Sequence, residues 1–210
     1  MIHLNYIVMK RLPVIDENLL LSYGASEVEL QPSETIFSSG DQPRYYYQIM
    51  EGQIKLNHED DEGRELIQSI LNDGDSVCEL LLFTDKCYPV NAISLRSGKL
   101  LKLPKKIFFE LLQDNPEVSF DINRFISKHL YQKFVLMQTN SSFQPALRLK
   151  GIFNYFKSFS EDQSKYSFEI TLTRKQLASI TALRTETVIR TVKKLERAGL
   201  VKIINHKIFV

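Results

Sequence analysis

Between residues 26 and 103 the apolar positions fall in short runs, at 28–30, 35–37, 45–50, 53–56, 66–71, 92–95 and 99–103. The gaps carry turn chemistry: Gly40-Asp41, Glu51-Gly52, Glu62-Gly63, Asp73-Gly74 and Ser97-Gly98. Reversals this frequent predict hairpins of antiparallel strands. Strands this short leave edges open unless the sheet closes, so a roll or double sheet is expected. After Pro104 the spacing changes. Phe108, Leu111 and Leu112 sit at helical intervals and predict a short helix that Asn115-Pro116 interrupts, because the residue before proline is pushed out of helical geometry. A longer helix follows, with Val118, Ile122, Phe125, Ile126, Leu130, Phe134 and Met137 in one stripe of threes and fours. About 25 residues at 1.5 Å each give a rod longer than one face of a small roll, and the surplus predicts a partner, most simply the same helix of a second copy.

Residues 139–144, ahead of Pro145, are polar and read as a hinge. Residues 146–159 form an amphipathic helix with Leu147, Ile152, Phe153 and Phe156 as its buried positions, 160–165 a charged loop, and 166–172 an edge strand. Two short helices and a terminal hairpin complete the chain.

Charge changes this picture more than composition does. The chain has 210 residues, 43% hydrophobic and 25% charged, with a net charge of +2. These are ordinary values for a globular protein. Cut at Gln144, however, the first part carries 14 Lys/Arg against 20 Asp/Glu and the remainder 13 against 5. An acidic body bears a basic end, which points to a polyanion as the partner of the last third. No apolar run reaches the roughly 20 residues that span a bilayer, and residues 1–12 lack the apolar centre and small-residue cleavage site of a signal peptide. A cytoplasmic location without membrane association is expected. Cys78 and Cys87 are too few for a disulfide framework and match no zinc or iron–sulfur spacing.

The chemistry lies in residues 172–210. Thr173 with Gln176 is a capping box, so a helix should start at Arg174. Leu177 and Ile180 face inward, Ala178 admits a close neighbour, and residues 181–183 make a tight connection. Thr185 is placed to cap the next helix, whose Val188, Val192 and Leu195 form the buried stripe. Its opposite face carries Arg184, Glu186, Thr187, Arg190, Lys193 and Lys194. Such a pair is a helix-turn-helix, whose second helix lies in the major groove. Arginine pairs bidentately with guanine, glutamate accepts from cytosine, and threonine or lysine holds phosphate, a role open to Thr173, Arg174 and Thr185 as well. Glu186 and Arg190, four apart, would read adjacent base pairs or else form a surface salt bridge. The ending, with Asn205-His206 at a hairpin turn, is a wing, and His206 and Lys207 at its tip suit phosphate.

The order of acidic roll, long helix, hinge and winged helix-turn-helix, with TRKQLA at 173–178, ETVIR at 186–190, LERAGLV at 195–201 and the landmarks Glu51-Gly52 and Asn115-Pro116, resembles the cyclic-AMP receptor protein and fumarate-nitrate regulator (CRP/FNR) family of bacterial transcription regulators. The resemblance covers nearly the whole chain. It implies an α+β protein: an N-terminal antiparallel β-roll (a double-stranded β-helix, cupin-like) over 1–116 with flanking helices, a dimerisation helix over 117–141, and a winged helix-turn-helix over 142–210. It also implies that Glu186 and Arg190 read bases of double-stranded DNA, that the protein is a homodimer through the long helix, and that RNA polymerase is a further partner. Thr185 stands where the cyclic-AMP-responsive members carry arginine, Ile189 where the oxygen-responsive ones carry serine, and Ala182 replaces the glycine of the turn.

Family members that bind cyclic nucleotide carry Gly-Glu-Leu and then Arg-Ser-Ala or Arg-Thr-Ala around the phosphate. Here the stretches are Cys78-Glu79-Leu80 and Pro89-Val90-Asn91-Ala92. Glu79 remains for a ribose hydroxyl, but no arginine neutralises the phosphate, and burying an anion without a cation is costly. Cyclic-AMP binding of the usual kind is therefore disfavoured. Lys133-Phe134 replaces the two hydroxyl side chains offered to adenine, and Lys133 would be the substitute charge. The effector pocket so implied, for an unidentified small molecule, comprises Glu79, Leu80, Val90, Asn91, Lys133 and Phe134. No cofactor is required. Two cysteines cannot hold a four-thiolate cluster. His3, His58 and His129 are the candidates for a haem ligand, with simple packing the commoner role. A redox pair of Cys78 and Cys87 finds no nearby group that lowers a thiol pKa, Glu79 and Asp85 being acidic. The rival from another class is a cupin-type metal enzyme, which needs a His-x-His cluster with further ligands, whereas only His58 falls in the strands. An enzyme is not expected.

Overall fold

A computed structural model describes residues 13–60, 63, 65–84, 86–158, 160 and 162–210. The expectations placed on residues 1–12, Glu62, Asp85 and Phe159 lie outside the described residues. The chain divides into two compact units. One runs to His58 and resumes from Gln68 to Ser127, and the other takes Glu59–Ile67 and Lys128–Val210.

In chain order, α1 (Glu17–Ser22) precedes β1 (Ser26–Leu30), β2 (Thr35–Phe37), β3 (Tyr45–Glu51), β4 (Gln53–Glu59) and β5 (Glu65–Asn72). A 3-10 turn at Glu79–Phe83 leads to β6 (Asn91–Ser94), β7 (Gly98–Pro104), α2 (Lys105–Asp114) and α3 (Pro116–Asn140). All seven strands fall on the seven apolar runs. They form two antiparallel sheets, ordered β1-β7-β3 and β2-β6-β4-β5. Leu30, Tyr47, Ile49 and Leu100 from the first sheet meet Phe37, Ile54, Leu56 and Ala92 from the second in one core. Strand alternation turns Tyr46, Leu101 and Leu103 to the other side, where Leu20, Phe108, Leu111 and Ile122 of the helices cover them. Both faces of the first sheet are thus buried, which is why β3 and β7 read as nearly unbroken apolar runs. The hairpin landmark Glu51-Gly52 has a steric cause. Gly52 has φ +134°, and a Cβ on Gly98 would run into the Glu51 carbonyl and the Gly52 backbone.

α3 has 25 residues. Its stripe divides along its length: Val118 and Ile122 are buried in the first unit's core and Ile126 packs against it. Leu130, Phe134 and Met137 are exposed. The polar hinge is shorter than expected, because Thr139 and Asn140 continue α3 and Pro145 already opens α4 (Pro145–Lys157), occupying the helix start where its missing N–H costs nothing. That start sets the phase of α4. Leu149, Ile152 and Phe153 share the buried face at i, i+3 and i+4, and Leu147, expected inside, lies about half a turn away and is exposed. α3 and α4 approach so closely that a Cβ on Gly151 would collide with the Thr139 side chain. The edge strand expected over 166–172 contracts to β8 (Glu169–Ile170), which pairs with β10 (Lys207–Phe209), while Phe168 exchanges two backbone hydrogen bonds with Val210. β10 also pairs with β9 (Lys202–Ile204), giving a three-stranded sheet beside α5 (Arg174–Thr181) and α6 (Thr185–Arg197). Among the described residues no helix is long and apolar enough to cross a membrane.

Candidate nucleic-acid interface

α5 begins where its capping chemistry dictates. The Thr173 hydroxyl accepts from the Gln176 N–H at 3.1 Å, and the Thr173 N–H donates to Gln176 Oε1 at 2.8 Å. The helix stops at Ala182, which takes a left-handed conformation at φ +52° in place of the usual glycine. Three side chains claim its last carbonyls. Asn140 at the end of α3 donates to the Ile180 carbonyl at 2.9 Å, Arg148 of α4 donates to that of Thr181 at 3.0 Å, and the Thr181 hydroxyl turns back to Leu177 at 2.6 Å. An arginine at a helix C-terminus also suits the helix dipole.

The N-cap of α6 is Arg184, and Thr185 is the first helical residue. The cap expected from Thr185 is therefore displaced by one position, and no side chain caps this end. The left-handed Ala182 is the cause, since it lets the chain turn one residue earlier. Val188, Val192 and Leu195 are buried as expected, joined by Thr191. Outward, Arg184, Glu186, Arg190, Lys193 and Lys194 are exposed, with Thr185 and Thr187 half-buried. Among the described residues Glu186 and Arg190 form no ion pair with each other, and both are exposed.

Beside α6 stands the wing, closed by Asn205 at φ +49° and His206 at φ +65°, consecutive left-handed residues that match strand twist in a two-residue hairpin. The Arg174 guanidinium donates to the His206 carbonyl at 3.0 Å, fastening the start of α5 to the wing tip, and desolvation there lowers its pKa. Thr173 and His206 are exposed. Lys207 is engaged by Glu169 of β8 at 2.9 Å, so its charge is already partly spent inside the unit. Between α6 and the wing lies a cleft of about 330 Å³, with Ile189, Val192 and Ile203 as apolar walls, Arg174 and Lys193 as cations and the His206 imidazole as a further polar group. Ile189, which the resemblance places where the oxygen-responsive members carry serine, is 41% exposed at this cleft.

The residues expected to line an effector pocket in the roll are placed as follows. Cys78, in the glycine position, holds a left-handed φ of +56°, and Glu79 begins the 3-10 turn with 3% exposure. Ser76 Oγ donates to Glu79 Oε2 at 2.6 Å. Burial raises the Glu79 pKa, and burial together with the nearby Glu79 charge raises that of Tyr46. Tyr46 belongs to the helix-covered side of the first sheet, whereas Val90 belongs to the core between the sheets. In that core Phe37 and Tyr88 stack at 3.6 Å. Asn91 Oδ1 accepts from the Ser39 N–H at 2.8 Å, and Leu80 is exposed. Lys133 and Phe134 lie on α3 in the second unit, the former half-buried and the latter exposed. Among the described residues no group of three or more His, Cys, Asp or Glu is arranged to hold a metal ion.

Residues 27–115 match the model of the cyclic nucleotide-binding domain, and residues 148–210 that of the Crp-like helix-turn-helix domain. A stretch of 123 residues, 58% of the chain, is 25% identical to Lysophospholipase nte1 of Aspergillus niger, and spans only 8% of that protein. Among solved structures, the c-di-GMP responsive global regulator CLP of Xanthomonas campestris is similar with a TM-score of 0.75 at 19% identity, over 92% of this chain and 96% of that one. A CooA variant from Carboxydothermus hydrogenoformans reaches a TM-score of 0.78 at 13% identity, over 93% and 88%. At these identities the likeness is one of fold.

Proposed function

The chain belongs to the CRP/FNR family of transcription regulators, with a cyclic nucleotide-binding domain and a helix-turn-helix DNA-binding domain, and from this premise we propose that it acts as a homodimer on a roughly palindromic operator. The observation that carries the reading is the exposed face of α6. Glu186 and Arg190 stand free on it, between Arg184 at the helix start and Lys193 and Lys194 beyond. Two copies paired along α3 would set two such helices in successive major grooves, about 34 Å apart. In this arrangement Glu186 and Arg190 read base edges, while Thr173, Arg174, Lys193, Lys194 and His206 hold the phosphate backbone. Thr185 and Thr187 contribute hydroxyls at the groove edge, and Lys207 contributes to the extent that Glu169 releases it.

The test is selection of a randomised palindromic library by the ligand-free protein at physiological salt. One two-fold motif is the expected result. Arg190→Ala should relax preference at one base position at a cost of about 1–3 kcal/mol, whereas Lys193→Ala should weaken all sequences together and lower the salt slope by about 1. An unchanged motif with Arg190→Ala would overturn the groove assignment.

A second reading concerns the roll. The burial of Glu79 against Ser76 and the stacked aromatics of the inner core favour a sensor that has lost cyclic-nucleotide control, leaving regulation to protein abundance. Enrichment of the motif without any added small molecule supports it. Retention of the motif only after a cyclic nucleotide is supplied would overturn it.

A further inference from the structure

Ile189 is the large apolar residue of α6 that the packing leaves open. Val188, Thr191, Val192 and Leu195 form the buried stripe, and Ile189 lies at its edge, where it lines the cleft with Val192 and Ile203 yet remains 41% exposed, three residues after Glu186, beside Arg190 and four residues before Lys193. A solvated helix face gains nothing locally from isoleucine. Its branched side chain is a poorer helix former than the alanine, lysine or glutamate that would serve there.

Resting on the reading that α6 enters the major groove, we infer that Ile189 is a specificity-determining residue that packs on the 5-methyl group of a thymine in each half-site. The methyl is the apolar feature that a base edge presents in the major groove. Isoleucine has neither donor nor acceptor, so it cannot pair with guanine or adenine edges. Pressed against cytosine it would strip water from an amino group and return nothing. It therefore selects thymine by attraction and rejects cytosine by desolvation. Its stiffness, a liability for the isolated helix, lowers the ordering cost on contact. The groups that share its cleft, the Arg174 and Lys193 cations and the His206 imidazole, are suited to the phosphates that bring the strand to this edge of the helix.

The experiment replaces each thymine of the selected half-site in turn by deoxyuridine, which removes only the methyl, and measures affinity for the wild-type protein, Ile189→Ala and Ile189→Val. At one position the wild type should lose about fourfold, the effect of one methyl-sized group returned to water. Ile189→Ala should lose nothing further there while keeping the preference at the bases read by Glu186 and Arg190, and Ile189→Val should stay sensitive. Equal responses of wild type and Ile189→Ala to every deoxyuridine would overturn this inference alone. Failure of the wild type to select any two-fold motif would overturn the groove reading, and the inference with it. The decisive change is made on the DNA, so the comparison does not depend on how a variant folds.

Discussion

At Glu79 the fold keeps a carboxyl where water does not reach. The Ser76 hydroxyl donates to it, and Asp75 and Tyr46 are near enough to interact with its charge. Burial is the largest influence and raises the pKa, with Asp75 adding to it and the Ser76 hydrogen bond opposing it. The folded state therefore holds this proton more tightly than the unfolded chain does. The associated stability is complete below the ordinary glutamate pKa, about 4.3, and is lost as pH rises through the raised folded value. Urea unfolding across this range should show the wild type losing stability with rising pH and Glu79→Gln losing less. Parallel slopes would mean that Glu79 titrates as it does in water. The identity of this acid was legible in the sequence, but its surroundings were not. A left-handed Cys78 decides the entry to the turn, and nothing in residue order announces that a cysteine will take the glycine conformation.

Element boundaries were legible wherever their cause is local. The capping box of α5 needs only Thr173 and Gln176, and the strand ends follow the turn glycines. Where the cause sits on another element the sequence misleads. Leu147 looks buried until α4 packs through Leu149, Ile152 and Phe153, Thr185 looks like a cap until the helix takes it as its first residue, and 166–172 looks like a strand where the chain's end bonds to 168–170. The box itself makes a prediction. Thr173→Ala leaves the Gln176 N–H without its side-chain acceptor and should cost about 1 kcal/mol in thermal unfolding of the protein. DNA affinity should fall while the selected motif stays the same, because the bases are read from α6. A changed motif would place Thr173 among the base-reading residues.

Across the whole molecule, the segregation of charge and the long helix were both plain in the sequence. The chain's last 66 residues carry the basic excess, and α3 exposes Phe134 at 59% and Met137 at 70%. Pairing of two copies along α3 would cover these side chains. Sedimentation equilibrium should find a dimer for the wild type, and the double variant Phe134→Glu with Met137→Glu should raise the dimer dissociation constant by roughly a hundredfold or more. Operator binding should weaken with it, since each copy then meets a single half-site. A double variant that remains dimeric would move the interface elsewhere.

The side chains of Asn140 and Arg148 that hold the end of α5 have a consequence for how the second unit opens. A helix whose last carbonyls belonged to water would fray by itself, and its amides would exchange early. Here fraying α5 means releasing the end of α3 and the start of α4 as well, so the three share one opening event and one level of amide protection. Within the second unit the end of α3 and the start of α4 thus form a clasp on α5, and loosening either side of it exposes the helix end to exchange.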